Sequence, residues 1–484
     1  MSEETLDPKD WDSLKALGHQ IVDDMIDYLK NIREKPIWQQ PTEEIKKKFQ
    51  ANLPKSGENI TDIYQEIKDN VIPYGMGNIH PRFWGWVIGS GSFSGALADF
   101  IASSINYNSG GFNHSATYME NQVIDWAKEM FGFDSEASGL ITTGGSMANL
   151  IGLVVARNTK AGYDIRKEGL QSSSNKLTFY GSNEMHSSIL KAIELFGIGD
   201  QYLRKISVND SYEINCDELE KSINDDIKKG FKPICIIGNL GTVNTGAVDD
   251  LGKLSSISKK YDLWLHVDGA FGALTKISPE SNYLAKNLEL ADSIAFDFHK
   301  WMYINYEAGG ILVKRKSDHL KALSLTADYI AHSTRGLHAS ETWFADYGIQ
   351  LSRSFKALKI WTLIKEQGIE KFGRLVQQNI NQANYLASLI MREKSLELSI
   401  PVSMNIVCFR FKPDNIEMTQ EQLNKINEEI LWQLHEKGIA IPSYTNLKGN
   451  YVIRVAITNH RSRKEDFELL ISSIIELGNQ IAIL

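Results

Sequence analysis

The chain has 484 residues, 42% hydrophobic and 23% charged, enough to bury a sizeable core across two or three structural units. A formal charge of -8, a pI near 5.8 and the lack of any Lys/Arg-rich block argue against nucleic acid as a partner. Three cysteines (Cys216, Cys235 and Cys408) without CxxC or metal-ligand spacing indicate neither a disulfide scaffold nor a zinc site, and no apolar run is long enough to span a membrane.

The acidic start, MSEETLDPKDWDSLK, has no apolar core of a signal peptide, so a soluble cytoplasmic protein is expected. Residues 11–34 repeat apolar positions at steps of three and four, which predicts an amphipathic helix. A second helix is expected after Thr42, whose hydroxyl suits an N-cap, with Glu43 and Glu44 beside the positive helix end. Ile45 in the third helical position rules out a capping box.

A Gly- and aromatic-rich run follows, HPRFWGWVIGSGSFSGALADF (80–100). Its glycines permit close backbone approach, and Phe83, Trp84, Trp86 and Phe93 either line a pocket or pack a core. From about 137 to 315, short β-branched runs alternate with helical segments, the pattern of a helix-covered α/β sheet. A long helical stretch is expected over 345–375, and a smaller α+β unit over 385–484.

Four places bear on chemistry. ITTGGSMANL (141–150) puts Gly144-Gly145 after a strand and Ser146 at a helix start, which is either an anion site or a tight turn; it is neither a Walker A loop nor GxGxxG. Asp268 closes the strand LWLHVD, where open sheets bind ligands, and a buried carboxylate there needs a cationic partner. Lys300 ends the run IAFDFHK as a surface cation or a desolvated nucleophile. His186 lies between a strand and a helix, as a polar helix start or a site residue. One cofactor unites these parts. Pyridoxal phosphate brings a phosphate for the glycine turn, a ring nitrogen for Asp268 and an aldehyde for Lys300.

The segments HPRFWGW (80–86), TTGGSMANL (142–150), MHSSILKA (185–192), GNLGTVNTGAVDD (238–250), WLHVDGAFGA (264–273), ADSIAFDFHKW (291–301), ADYIAH (327–332) and LSRSFKALKIW (351–361) resemble the group II pyridoxal-phosphate-dependent amino-acid decarboxylases, the aromatic-amino-acid, histidine and glutamate decarboxylase relatives. The resemblance implies an aspartate-aminotransferase-like fold of type I. It comprises a helical arm over 1–80 packed on a partner subunit, a large domain over 81–375 with a mainly parallel seven-stranded sheet, and a small α+β domain over 376–484. It also implies a homodimer whose active site lies at the subunit interface.

By resemblance, Lys300 carries the cofactor as an internal aldimine and Asp268 pairs with its ring nitrogen. Ala270 and His186 take its two faces, Gly145 and Ser146 hold its phosphate, Thr242 lies near it, and His299 stands beside the lysine. Tyr329 matches a loop tyrosine that returns a proton to the α-carbon of the quinonoid intermediate, which favours release of a primary amine over oxidation to an aldehyde. Asp297 replaces the asparagine found in many relatives, and only a turned-away or protonated carboxylate suits a neighbouring phosphate. Asn106, Asn108 and His114 make the region matching the family's substrate pocket more polar than in animal aromatic decarboxylases.

The implied reaction is decarboxylation of an L-amino acid, aromatic by the lead of Phe83, Trp84 and Trp86. Acidic or small polar substrates are the alternative on the strength of the asparagines. An aminotransferase would need an arginine for the substrate carboxylate, for which Arg353 and Arg454 are candidates. An aldehyde synthase and a non-catalytic interaction protein on the same fold are the remaining readings; the second is disfavoured by the presence of both Lys300 and Asp268.

Overall fold

A computed structural model describes residues 3–172, 175–325, 334–414 and 417–483. Seven strands form the larger sheet: β1 (Ser138–Thr142), β2 (Leu177–Ser182), β3 (Leu203–Ile206), β4 (Lys232–Asn239), β5 (Trp264–Asp268), β6 (Ser293–Asp297) and β7 (Gly309–Val313). Their order is β1-β7-β6-β5-β4-β2-β3. The block from β6 to β3 is parallel, whereas β7 runs antiparallel to both its neighbours. Strands β1, β2, β5, β6 and β7 are buried at every position, because helices cover both faces. The expected mainly parallel seven-stranded sheet is therefore present.

Helix Gly145–Lys160 crosses this sheet and packs on β4, β5, β6 and β7. Its buried face includes Ala148, Ile151, Gly152, Val155 and Ala156, small or β-branched residues that allow a close approach. At Gly152 an added Cβ would lie 2.5 Å from the His266 ring, so only glycine lets the helix settle on β5.

A second, antiparallel sheet has the order β10-β11-β9-β8, from β8 (Leu396–Leu398), β9 (Ile406–Phe411), β10 (Ser443–Leu447) and β11 (Asn450–Ala456). Helices Gln420–Glu436 and Lys464–Ile483 pack against it. Helix Ile369–Ile390 runs through positions 375 and 376 and touches both β9 and the turn Gly272–Ile277 beside the larger sheet.

The N-terminal helices Trp11–Lys30 and Glu43–Lys48 lie within the two stretches expected to be helical, and a third helix, Ile60–Asn70, follows them. Thr42 Oγ1 accepts from the Ile45 N–H at 3.3 Å, as its N-cap role requires. These helices bury few side chains. Arg33 ties them to the C-terminal unit through Asp466 at 2.6 Å.

The 345–375 stretch differs from expectation. A short turn Phe344–Tyr347 gives way to extended chain, and helix Ala357–Gln367 stops at Gly368 (φ +71°) before the next helix. Tertiary bonds override the local helical pattern: Asn108 Oδ1 accepts from Arg353 N–H at 3.1 Å, and Arg353 C=O accepts from Ser109 N–H at 2.8 Å. Among the described residues, no helix is long and apolar enough to cross a membrane.

Candidate active site

The carboxyl ends of β5 and β6 meet the start of helix Gly145–Lys160. Asp268 ends β5 and is 6% exposed. Its Oδ2 accepts from Asn149 Nδ2 at 2.9 Å and its Oδ1 from the Ala270 N–H at 3.1 Å. Both donors are neutral, so the negative charge is solvated by dipoles and left available to a cation.

Lys300 follows β6 in the short helix Phe298–Trp301. Its Nζ lies 3.2 Å from Asp297 Oδ2, and the side chain keeps about a fifth of its surface open. The turn is held from outside by Gly89, where a Cβ would stand 2.0 Å from the His299 carbonyl oxygen and 2.6 Å from that of Lys300. This is the close approach that the Gly-rich 80–100 run permits.

Asp297 is wedged among glycines. A Cβ at Gly145 would meet its Oδ2 at 2.9 Å, and one at Gly309 would meet its Oδ1 at 2.6 Å. Its carboxylate turns to Lys300, while Oδ1 is buried without a hydrogen-bond partner. The aspartate in place of asparagine thus supplies an ion-pair partner for the lysine amine.

The helix start beside it has Gly144 as N-cap (φ +157°) and no side-chain cap. The first N–H groups of a helix have no acceptor within it, so those at Gly145 and Ser146 suit an anion. Ala270 lies close by, its Cβ 3.4 Å from the position a Cβ would take on Gly145.

His186 is the N-cap of helix Ser187–Leu195, its Nδ1 accepting from the Ser188 N–H at 3.2 Å. Burial holds its pKa below the ordinary value against the pull of Asp268, and Lys300 lowers it further. His299 is likewise held down by burial, opposed by Asp297. Its Nδ1 accepts from the Ala308 N–H at 3.1 Å and its ring lies 4.4 Å from that of Tyr306.

Thr242 lies two residues past Leu240, whose N–H donates to the Asp268 carbonyl at 2.9 Å, whereas the aromatic positions fall elsewhere. The Thr242 hydroxyl is buried within its own turn, 3.0 Å from that of Thr245 and accepting from the Ala247 N–H at 3.1 Å. Trp84 belongs to the core of the C-terminal unit: its ring stacks on Phe467 at 4.9 Å and its Nε1 donates to Ser462 Oγ at 2.9 Å. It therefore lines no open pocket. Phe83 packs with Ile37 and Ile441, while Trp86 is exposed.

Asn108 braces a loop through Gly110 and Arg353, and His114 is the N-cap of helix Ser115–Phe131. Asn106, the left-handed C-cap of helix Phe93–Ile105, borders a cleft of about 370 Å³ with Tyr107, Tyr306, Phe355, Lys356 and Lys359. Tyr329 lies outside the described residues.

Both candidate arginines for a substrate carboxylate are committed. Arg353 pairs with Glu120 at 2.5 Å and donates to the Ser109 and Ile141 carbonyls. Arg454 donates to the carbonyls of Val243, Asn244 and Trp86. The aminotransferase reading loses its anchor.

Sequence reasoning passed over Asn149, His266 and Ser188, which bond to Asp268, to Asn149 and to His186. The available signal was positional: His266 shares a strand face with Asp268, two residues on, and Asn149 is a polar residue on the buried face of its helix. Pyridoxal phosphate fits the arrangement: an uncapped helix start for its phosphate, Asp268 for a protonated ring nitrogen, and the Lys300 amine for its aldehyde.

Comparison with known proteins agrees. The pyridoxal-dependent decarboxylase conserved domain matches residues 41–412. The chain is 31% identical to the aromatic-L-amino-acid decarboxylase of Bacillus atrophaeus, over 98% of this chain and 97% of that one. It is 30% identical to tyrosine decarboxylase 4 of Petroselinum crispum, over 94% and 90%. In fold it is similar to Oryza sativa TDC, solved with PLP and tryptamine, with a TM-score of 0.91, 22% identity and coverage of 99% and 100%. Mouse CSAD shares the fold at a TM-score of 0.87 and 22% identity, covering 96% and 99%. With a domain match across most of its length and relatives aligned nearly end to end, the chain belongs to the pyridoxal-dependent decarboxylase family, as a pyridoxal-phosphate-dependent amino-acid decarboxylase.

Proposed function

We propose that this enzyme converts an aromatic L-amino acid to its primary amine and carbon dioxide, acting as a homodimer with Lys300 as the cofactor's point of attachment. One observation carries the reading: Asp268 ends β5 and Lys300 stands three residues past the end of the adjacent parallel strand β6, beside an uncapped helix start. The aromatic preference draws on the relatives named as aromatic-amino-acid and tyrosine decarboxylases.

When bound, pyridoxal phosphate supplies an aldehyde for the substrate amine and a ring that accepts the electron pair left as the carboxylate departs. Gly145 and Ser146 hold the phosphate through their N–H groups. Asp268 keeps the ring nitrogen protonated by its negative charge. His186 and Ala270 confine the ring from its two faces. Asp297 holds the Lys300 amine at the crevice edge before attachment and after release. Tyr329, in the context Y-x-x-H, delivers the proton to the substrate α-carbon.

Exposed apolar side chains support the homodimer. Leu97, Phe100, Ile101 and Ile105 lie open on helix Phe93–Ile105, and Trp11, Phe49 and Ile60 on the N-terminal arm. A contiguous exposed apolar surface of this kind marks an interaction face. The arm, residues 1–80, would cover the partner's equivalent face.

The test is a screen for carbon-dioxide release across the standard amino acids with the amines identified. Release from Trp, Tyr or Phe with the matching amine is expected; release from Glu or Asp alone overturns the aromatic assignment. Tyr329→Phe is expected to lower amine output and raise the aldehyde fraction, and an unchanged product ratio refutes the proton-delivery role.

A further inference from the structure

A line of buried polar groups runs from the sheet core to Asp268. Trp264 Nε1 donates to Ser293 Oγ at 2.8 Å. Ser293 Oγ lies 2.8 Å from His266 Nδ1, and His266 Nε2 lies 2.9 Å from Asn149 Oδ1. Asn149 Nδ2 then reaches Asp268 Oδ2 at 2.9 Å and Ser188 Oγ at 3.0 Å. Ser188 Oγ is 2.8 Å from His186 Nδ1. Trp264, Ser293, His266 and Asn149 are all essentially inaccessible to solvent.

The Asp268 end fixes the direction of the bonds back to Ser293. An indole N–H only donates and a carboxylate only accepts. Asn149 Nδ2 donates to Asp268, so Asn149 Oδ1 faces His266 Nε2 as an acceptor, and the Nδ1 of a neutral His266 ring is left to accept from Ser293 Oγ. His266 thus carries its ring proton on Nε2. The Asn149 amide nitrogen faces both Asp268 and Ser188. His186 Nδ1 accepts from the Ser188 N–H, so Ser188 Oγ also donates to it and His186 keeps its ring proton on Nε2. Burial makes His266 resist a second proton, with its pKa pushed down to about 4, which preserves the single direction.

We propose that Trp264, Ser293, His266 and Asn149 form a one-way hydrogen-bond chain whose terminal amide positions Asp268 and His186 together. The branch point is Asn149, one side chain serving the acid that meets the ring nitrogen and the histidine on the ring face. An N–H donated to a carboxylate favours its charged form. A reversed Asn149 amide would instead set oxygen against oxygen at Asp268, and the proton of the cofactor's ring nitrogen would shift toward the carboxylate. These four are positioning residues. The inference rests on the roles proposed above for Asp268 and His186.

The experiment uses the full-length chain reconstituted with pyridoxal phosphate carrying nitrogen-15 in the ring, whose resonance reports ring protonation. Asp268→Ala calibrates the response, and His266→Leu and Ser293→Ala break the chain. His266→Gln restores it, since an amide can accept from Ser293 and donate to Asn149. Both breaks are expected to move the ring resonance toward its unprotonated position. They should also lower kcat roughly tenfold with KM within about twofold, the scale of one disrupted buried hydrogen bond. His266→Gln should recover both readouts. If Asp268→Ala moves the resonance but neither break does, the chain is merely structural and the proposal is overturned, whatever happens to the melting temperature. If Asp268→Ala leaves the resonance unmoved, the Asp268 reading itself fails, and the proposal with it. Should His266→Leu not fold, Ser293→Ala, which deletes one oxygen, decides alone.

Discussion

The cofactor end of the site and the cleft bordered by Asn106 are built differently. Around Lys300 and Asp268, backbone packs on backbone through Gly89, Gly145 and Gly309, and most polar groups have partners within the chain. Around the Asn106 cleft, Tyr306 and Tyr107 are exposed, and helix Phe93–Ile105 turns Phe100 and Ile101 outward. The first region is held by contacts within this chain, while the second leaves apolar side chains exposed. Around Lys300 and Asp268, position is fixed by glycine contacts and short bonds; around Asn106, side chains are left less constrained.

Arg353 pins the two regions together, bridging the Ser109 loop, Glu120 and the end of β1. Arg353→Met strands the buried Glu120 carboxylate and should cost about 3–5 kcal/mol of stability. Denaturant unfolding reads this directly, and a loss under about 1 kcal/mol would mean that the pin is dispensable.

Next in size is Asp268→Ala, expected to lower turnover roughly 100- to 1,000-fold at saturating cofactor while the protein stays folded. Near-normal turnover would break the claim that the crevice supplies the electrostatics.

The buried His266 sharpens the contrast through pH. Its folded pKa of about 4 lies below the ordinary 6.5, so the unfolded chain binds its proton more readily. Stability is full above pH 6.5 and falls as pH drops toward 4, by about 3 kcal/mol from this group. Urea midpoints should therefore fall less between pH 7 and pH 4.5 in His266→Gln than in the parent chain. Parallel losses in the two proteins would contradict the assignment.

Smallest is the effect on association. Phe100→Asp should weaken the proposed dimer by about 2 kcal/mol, roughly 30-fold in Kd, by placing a charge on the open helix face. Sedimentation at micromolar concentration reads this, and an unchanged dimer would place the interface elsewhere.

Much of the crevice was legible because its chemistry needs particular residues at strand ends. Lys300, Asp268 and Gly144-Gly145 stand out against β-branched runs. The role proposed for His186 was readable mainly through resemblance. Less legible were features whose cause is tertiary. Strand β3 is a short edge piece, LRKI, with two basic residues at its centre, and β10 reads SYTNL, alternating buried and exposed with no long apolar residue before Leu447. Trp84 shares a glycine-rich run with Gly89, yet the chain turns between them, so one packs the small core and the other the lysine turn. The extended segment around Arg353 has helical composition and is held open by Asn108. Asn149 and His266 were invisible as partners because they lie 117 residues apart.

The central claim is that Lys300 bears the cofactor in the crevice that Asp268 closes. Borohydride reduction of the holoenzyme, followed by proteolysis and mass analysis, tests it most directly. The account predicts a pyridoxyl group on the peptide containing Lys300 and no label in Lys300→Ala; a label carried by Lys359 or any other lysine would contradict it.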